Sequence, residues 1–209
     1  KAVLSLLSHD HLLEPLLNEP NAMAGLESLQ AAIRDLDHLP LLHTLMKACA
    51  LPDLRFEALF LRMRRIALLH LQELEVSSEL LDFLSTLAVH CFTNDYLYSE
   101  RDDEVALVAT LGERVHSGIE GSEAVGLADL LCLATYRPLH QFLPASSLTA
   151  LDTVPEVKQR IFTEPLIERA LTAEIRSQGV ITDITSIRVR RQYENNPYPR
   201  WVRTQVRGN

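Results

Sequence analysis

From the first residues to about residue 175, apolar side chains recur at three- and four-residue spacings, the period of one face of an α-helix. Over residues 2–17, Val3, Leu6, Leu7, Leu13, Leu16 and Leu17 predict a single amphipathic helix, with Pro20 just beyond it. Asn21 is placed to cap a second helix carrying Leu26, Leu29, Ile33 and Leu36. Pro40 stands where a short third helix over 41–50 has its first turn. Pro52 and Asp53 open a longer helix in which Leu54, Leu59, Leu61, Ile66, Leu69 and Leu74 alternate with Arg62, Arg64 and Arg65, which reads as one apolar and one solvated basic side. Residues 78–98 carry Leu81, Leu84, Leu87, Ala88, Cys91, Phe92 and Tyr96 with few polar positions, so this helix is expected at the centre of the fold. Asp102, Asp103 and Glu104 then enrich the first turn of a helix that ends at Gly118 and Gly121, negative charge favouring its N-terminal pole. Further helices are expected over 122–135, 137–142 and 155–175.

The fold class expected from this pattern is all-α: an irregular array of about eight to ten helices over residues 1–179, followed by an extended C-terminal strap over 180–209. Composition strengthens the helical reading, with 39 Leu against 7 Gly. No tandem register of about 34 residues marks a regular solenoid. The 20 Lys and Arg face 28 Asp and Glu, a surplus of negative charge that repels polyanions, so neither nucleic acid nor an anionic membrane is an expected partner. No apolar run approaches the roughly 18 residues that span a bilayer. Cys49, Cys91 and Cys132 lie in apolar helical patterns without a C-x-x-C, as reduced, buried, inert cysteines do, and the expected compartment is the cytoplasm. The first residue is not Met and the last follows a basic stretch, so a piece of a longer polypeptide is expected.

Candidate chemistry in the helical part is thin. His9, Asp10, His11 and Glu14 are good ligand types, but residues two apart on a helix point to different sides and no H-E-x-x-H accompanies them, so no metal is expected. The other histidines are scattered singly, and no G-x-S-x-G or glycine-rich phosphate cradle occurs. Asn94, Asp95 and Tyr96, with Leu97 and Tyr98, place amides, a carboxylate and phenols at the end of the most apolar helix. They are either ligand contacts or a buried polar plug that locks the helix end.

The tail differs. Over residues 188–207 six arginines face only Glu194, a net +5. Gln192-Tyr193-Glu194-Asn195-Asn196-Pro197-Tyr198-Pro199-Arg200-Trp201 adds two Tyr, two Pro and the single Trp, a stiff aromatic segment. This segment closely resembles the R-x-Q-Y-E-E-N-P-Y-P-R-W sequence that precedes the catalytic sheet in a family of bacterial proteins. Those proteins join tetratricopeptide repeats, a helical middle region and a class I S-adenosylmethionine-dependent methyltransferase domain. Arg190, Gln192, Tyr193, Glu194, Asn196, Pro197, Tyr198, Pro199, Arg200 and Trp201 fit the pattern, and Asn195 departs from it. His90-Cys91-Phe92-Thr93-Asn94-Asp95-Tyr96-Leu97-Tyr98 is similar to the family's Q-C-F-x-N-E-Y-V-F segment. Tyr136-Arg137-Pro138-Leu139 and Glu164-Pro165-Leu166-Ile167-Glu168 are similar to further parts of its middle region.

The resemblance implies a non-catalytic accessory region, regulatory or substrate-presenting, whose parent protein uses S-adenosylmethionine; the fragment itself is expected to hold no cofactor. Its partners are then the upstream repeats and downstream methyltransferase domain of the same chain, with a protein or peptide as substrate. The contact residues it implies are Tyr193, Asn196, Tyr198, Arg200 and Trp201, with Asn94, Asp95 and Tyr96 as a second group. The competing reading is a helical interaction scaffold with no coupled chemistry.

Overall fold

The computed structural model describes residues 2–19, 22–121, 125–141, 143, 149–172, 174 and 183–195. Among the described residues the chain is helix and turn without a strand, the all-α array that the periodicity predicts. The chain divides into two compact units, Lys1–Pro165 and Leu166–Asn209.

The single helix expected over 2–17 is two, α1 (Ala2–Leu7) and α2 (Leu13–Asn18). Asp10 breaks it: its carboxylate accepts the Leu12 N–H at 2.9 Å, giving the backbone a local partner in place of a helical one. Next come α3 (Leu26–Asp37), entered through Gly25 and Ser28, and α4 (Pro40–Ala48), with proline in its first turn. Asn21, expected as the cap of α3, lies outside the described residues. Helix α4 stops one residue before Cys49, whose extended backbone leaves the thiol exposed; the expectation of three buried cysteines holds only for Cys91 and Cys132.

Helices α5 (Leu54–Leu69) and α6 (Ser78–Thr93) begin at side-chain caps, Asp53 accepting from the Arg55 N–H and Ser77 from the Leu80 N–H. Residues 83–91 of α6 are all buried, so this helix is covered on every side, as its lack of a polar face predicts. Around it stand α3, α4 and α8 (Leu127–Ala134), while α7 (Asp102–Glu120) packs on α5 and α8. Short 3₁₀ turns at Leu139–Gln141 and Thr149–Thr153 lead to α9 (Pro155–Lys158), a π turn (Gln159–Thr163) and α10 (Glu164–Thr172). Pro165 has no N–H to return to Ile161, and the widened turn precedes it. Ile161 and Phe162 in that turn are buried, and α9 and the π turn close on α6.

In the second unit, residues 184–195 fall within the strap expected to be extended, yet they form helix α11 (Ile184–Asn195). Asp183 starts it, its carboxylate accepting the Ser186 N–H at 2.7 Å, an N-cap that offsets the β-branched Ile184 and Ile187. Among the described residues no helix is long and apolar enough to cross a membrane.

Candidate functional site

The end of α6 is shaped by a tight reversal. The Tyr96 N–H donates to the Cys91 carbonyl at 2.8 Å and the Asp95 N–H to the Phe92 carbonyl at 3.2 Å, the paired bonds of a Schellman turn. Such a turn needs a left-handed residue, usually glycine, and here Asp95 and Tyr96 take φ of 57° and 55°. The strain is held by what the turn delivers: Asn94 and Tyr98 are swung back beneath the helix, both buried.

There Tyr98 meets His90. The His90 ring is fully buried between Phe60 and Tyr98, with Nδ1 3.0 Å from the Met46 carbonyl and Nε2 2.8 Å from the Tyr98 hydroxyl. A carbonyl only accepts, so Nδ1 carries the hydrogen and Nε2 accepts from Tyr98. This makes a directed chain from the Tyr98 hydroxyl through His90 to the backbone of α4. Burial lowers the His90 pKa below its ordinary 6.5, against the Met46 hydrogen bond, and burial likewise raises that of Tyr98.

Beside this chain lies Arg64 of α5, 1% exposed and the largest fully buried side chain among the described residues. Its Nη2 donates to the Ser99 carbonyl at 2.9 Å and its Nη1 to the Thr135 carbonyl at 3.3 Å. Thr135 is the C-cap of α8, so the cation sits at the negative pole of that helix. The guanidinium carbon stands 4.1 Å above the Tyr136 ring centroid and 5.7 Å from that of Tyr98, close enough for a cation–π contact with both. Burial pushes the Cys91 thiol up to about 12, against the favourable field of the same guanidinium. The expected solvated basic face is therefore corrected: of the three arginines Arg64 is in the core, because it follows Phe60 by four residues and precedes Ala67 and Leu68 by three and four, on the stripe α5 buries.

Tyr136 carries the network onward. With its ring on Arg64, its hydroxyl donates to Glu104 Oε1 at 2.8 Å, and Glu104 Oε2 accepts the Arg101 N–H at 3.0 Å. Glu104 is buried at the third position of α7, where the helix dipole favours a carboxylate. Arg65 lies 3.5 Å from the same carboxylate and forks onto Asp103, whose carboxyl its hydrogen bonds hold down at about 2. Arg137 forks onto Glu100 in the same way, with Nη2 to Oε2 at 2.8 Å. Tyr136→Phe keeps the ring on Arg64 but strips the Glu104 oxygen of its donor. It is expected to lower stability by about 1–2 kcal/mol in urea unfolding, and a double-mutant cycle with Glu104→Gln should return a coupling near 1 kcal/mol.

Of the residues singled out from the sequence, Asn94 is buried beside this network, with Oδ1 free of a hydrogen-bond partner. Asp95 and Tyr96 are half-buried in the turn. Tyr193 is 64% exposed on α11, while Asn196, Tyr198, Arg200 and Trp201 lie outside the described residues. Arg64, Glu104 and Tyr136 are not among the contact residues expected from the sequence; the position of Arg64 on the apolar stripe of α5 is the one sequence signal that points to it. His9 and His11 are exposed, and among the described residues no group of three or more histidine, cysteine or carboxylate side chains is placed to hold a metal ion. Comparison with protein-family models, curated proteins and solved structures gives no match to this chain.

Proposed function

We propose that this chain is the non-catalytic helical accessory region of an S-adenosylmethionine-dependent methyltransferase, regulatory or substrate-presenting, which couples upstream repeats to a downstream catalytic domain. One observation supports it above others. Two of the three stretches that carry the resemblance in the helical body, residues 90–98 and 136–139, meet around Arg64, whose guanidinium stands over the rings of both Tyr98 and Tyr136. Likenesses arising by chance in separate stretches have no reason to interlock. The groups they bring together are closed to solvent, His90 and Cys91 at 0% and Tyr136 at 1% exposure, which suits a lock between helices better than a reacting centre.

In the resembling family the cofactor sits on a glycine-rich turn after the first strand of an α/β sheet. The described residues contain no strand, so they do not fit that site, and no methyl-transfer step is assigned to them. The basic, aromatic stretch that includes Tyr193, Asn196, Tyr198, Arg200 and Trp201 is the part of the proposal that faces the catalytic domain.

Calorimetric titration of S-adenosylmethionine tests it. Heat of binding is expected with the polypeptide extended to the natural end of its reading frame and not with the 209 residues alone. Heat with the 209 residues would overturn the proposal, and heat with neither would replace it by the interaction scaffold. In the extended protein, Tyr198→Ala with Trp201→Ala is expected to slow methyl transfer while the far-ultraviolet dichroism of the helical body stays unchanged.

A further inference from the structure

We propose that the groove between α2 and α3 is a docking site for a basic peptide segment that carries an apolar anchor residue. The groove encloses about 570 Å³, room for two or three side chains. Its apolar floor includes Leu16, Met23 and Ala32, and the exposed Ala31 stands at its rim. The wall is fixed from behind: Arg62 of α5 donates from Nε to the Met23 carbonyl at 2.6 Å, and Ser28 bonds both the N–H and the carbonyl of Gly25. The site is therefore formed before a ligand arrives.

Charge selects the occupant. Glu14, Glu19 and Asp35 line the groove, no lysine or arginine does, and among the described residues none of the three forms an ion pair. Carboxylates elsewhere in this unit do find cations, Asp53 with Arg55, Glu100 with Arg137, Asp103 with Arg65 and Asp129 with Arg114. Two of the three sit where helix stability disfavours them. Glu19 is the C-cap of α2 and Asp35 lies in the last turn of α3, so each adds to the negative pole of its helix instead of offsetting it. The result is an apolar trough under a concentrated negative potential. Side chains with a long apolar stem and a cationic head, arginine and lysine, match both features. The absence of a metal-holding group among the described residues fits spaced cationic side chains better than a bare cation. This site is independent of the methyltransferase reading and stands if that reading fails.

Fluorescence polarisation of a labelled ten-residue peptide alternating arginine with leucine, at 0.1 M salt, tests the proposal. Saturable binding is expected, weakened at least tenfold by Asp35→Lys, which leaves the rim a net single negative charge, and separately by Ala31→Trp, which places a bulky ring over the trough from an exposed position at its rim. Glu113→Lys on the outer side of α7 makes the same change of charge away from the groove and should shift the affinity less than twofold. Spermine, equally cationic but without an apolar anchor, should displace the peptide poorly. Absence of binding, equal losses in Asp35→Lys and Glu113→Lys, unaltered binding by Ala31→Trp, or full displacement by stoichiometric spermine would each overturn the proposal. Unchanged melting temperatures of the variants ensure that a loss is read at the groove.

Discussion

Arg64→Ala is expected to cost about 3–4 kcal/mol of folding stability, read as a lower urea midpoint with an unchanged slope. Two losses of contact and one gain in solvation combine. Two charge-assisted hydrogen bonds to the Ser99 and Thr135 carbonyls are lost, and bonds to a charged group contribute about 1.5–3 kcal/mol each. Desolvated cation–π stacking on Tyr136 adds up to about 2 kcal/mol. Against these stands relief from keeping a buried cation, which pulls the sum down to the stated range. The carbonyls left behind decide the sign, because buried acceptors without donors keep their desolvation penalty. Arg64→Lys retains the charge but has no planar fork to reach both carbonyls and stack on the ring, so it should recover less than half of the loss. Arg34→Ala, on the exposed side of α3, should change stability by no more than about 0.5 kcal/mol. A loss for Arg64→Ala as small as that of Arg34→Ala would show that the buried guanidinium contributes nothing net.

The second large effect is a loss of stability in mild acid. His90 and His43 both have pKa values held below 6.5, chiefly by burial, so the folded state resists a proton that the unfolded chain accepts. Below pH 6.5 the unfolded state therefore binds more protons, and stability falls as pH falls; above it both states are neutral and the term vanishes. The limiting slope for one such group is about 1.4 kcal/mol per pH unit. His90 should approach it, because protonation would set Nε2–H against the Tyr98 hydrogen within a chain whose other end is fixed on Met46. The paired carboxylates act in a different window. Asp103, Glu100 and Asp53 have pKa values lowered from 3.8 or 4.5, chiefly by hydrogen bonds from their arginines, so their contribution is lost only at lower pH. Urea midpoints between pH 8 and 5 should decline for the parent protein and decline less steeply for His90→Gln, which is less stable at pH 8, lacks one titrating ring and keeps that of His43. Parallel curves for the two would remove His90 as the source.

Several parts of this architecture are legible in the chain. Asp53 and Ser77 stand one residue before apolar-periodic stretches and do cap α5 and α6, because a short oxygen-bearing side chain there has few other ways to satisfy the first backbone donors. The central place of α6 follows from its having no polar side to give to water. Other parts are legible only with the helical angle applied with care. Arg64 looks like its neighbours Arg62 and Arg65 when charges are counted along the chain, yet it shares a stripe with Phe56, Phe60 and Ala67. Local competition explains two further departures. Asp10 takes a backbone N–H and divides the first helix, and Asp183 supplies an N-cap that carries β-branched and arginine residues into a helix where an extended path is expected.

What the amino-acid sequence determines by itself is the class of fold, the faces that are buried and the sign of the surface, because period, capping and charge act over a few residues. What only the tertiary structure decides is which polar groups meet. Arg64, Tyr98, Glu104 and Tyr136 come from four separate stretches, and only the fold sets the Arg64 guanidinium over the Tyr98 and Tyr136 rings and the Tyr136 hydroxyl on Glu104. The groove beneath Glu14, Glu19 and Asp35 likewise depends on how α2 and α3 pack on α5, where Arg62 holds the Met23 carbonyl, a relation that no local pattern encodes.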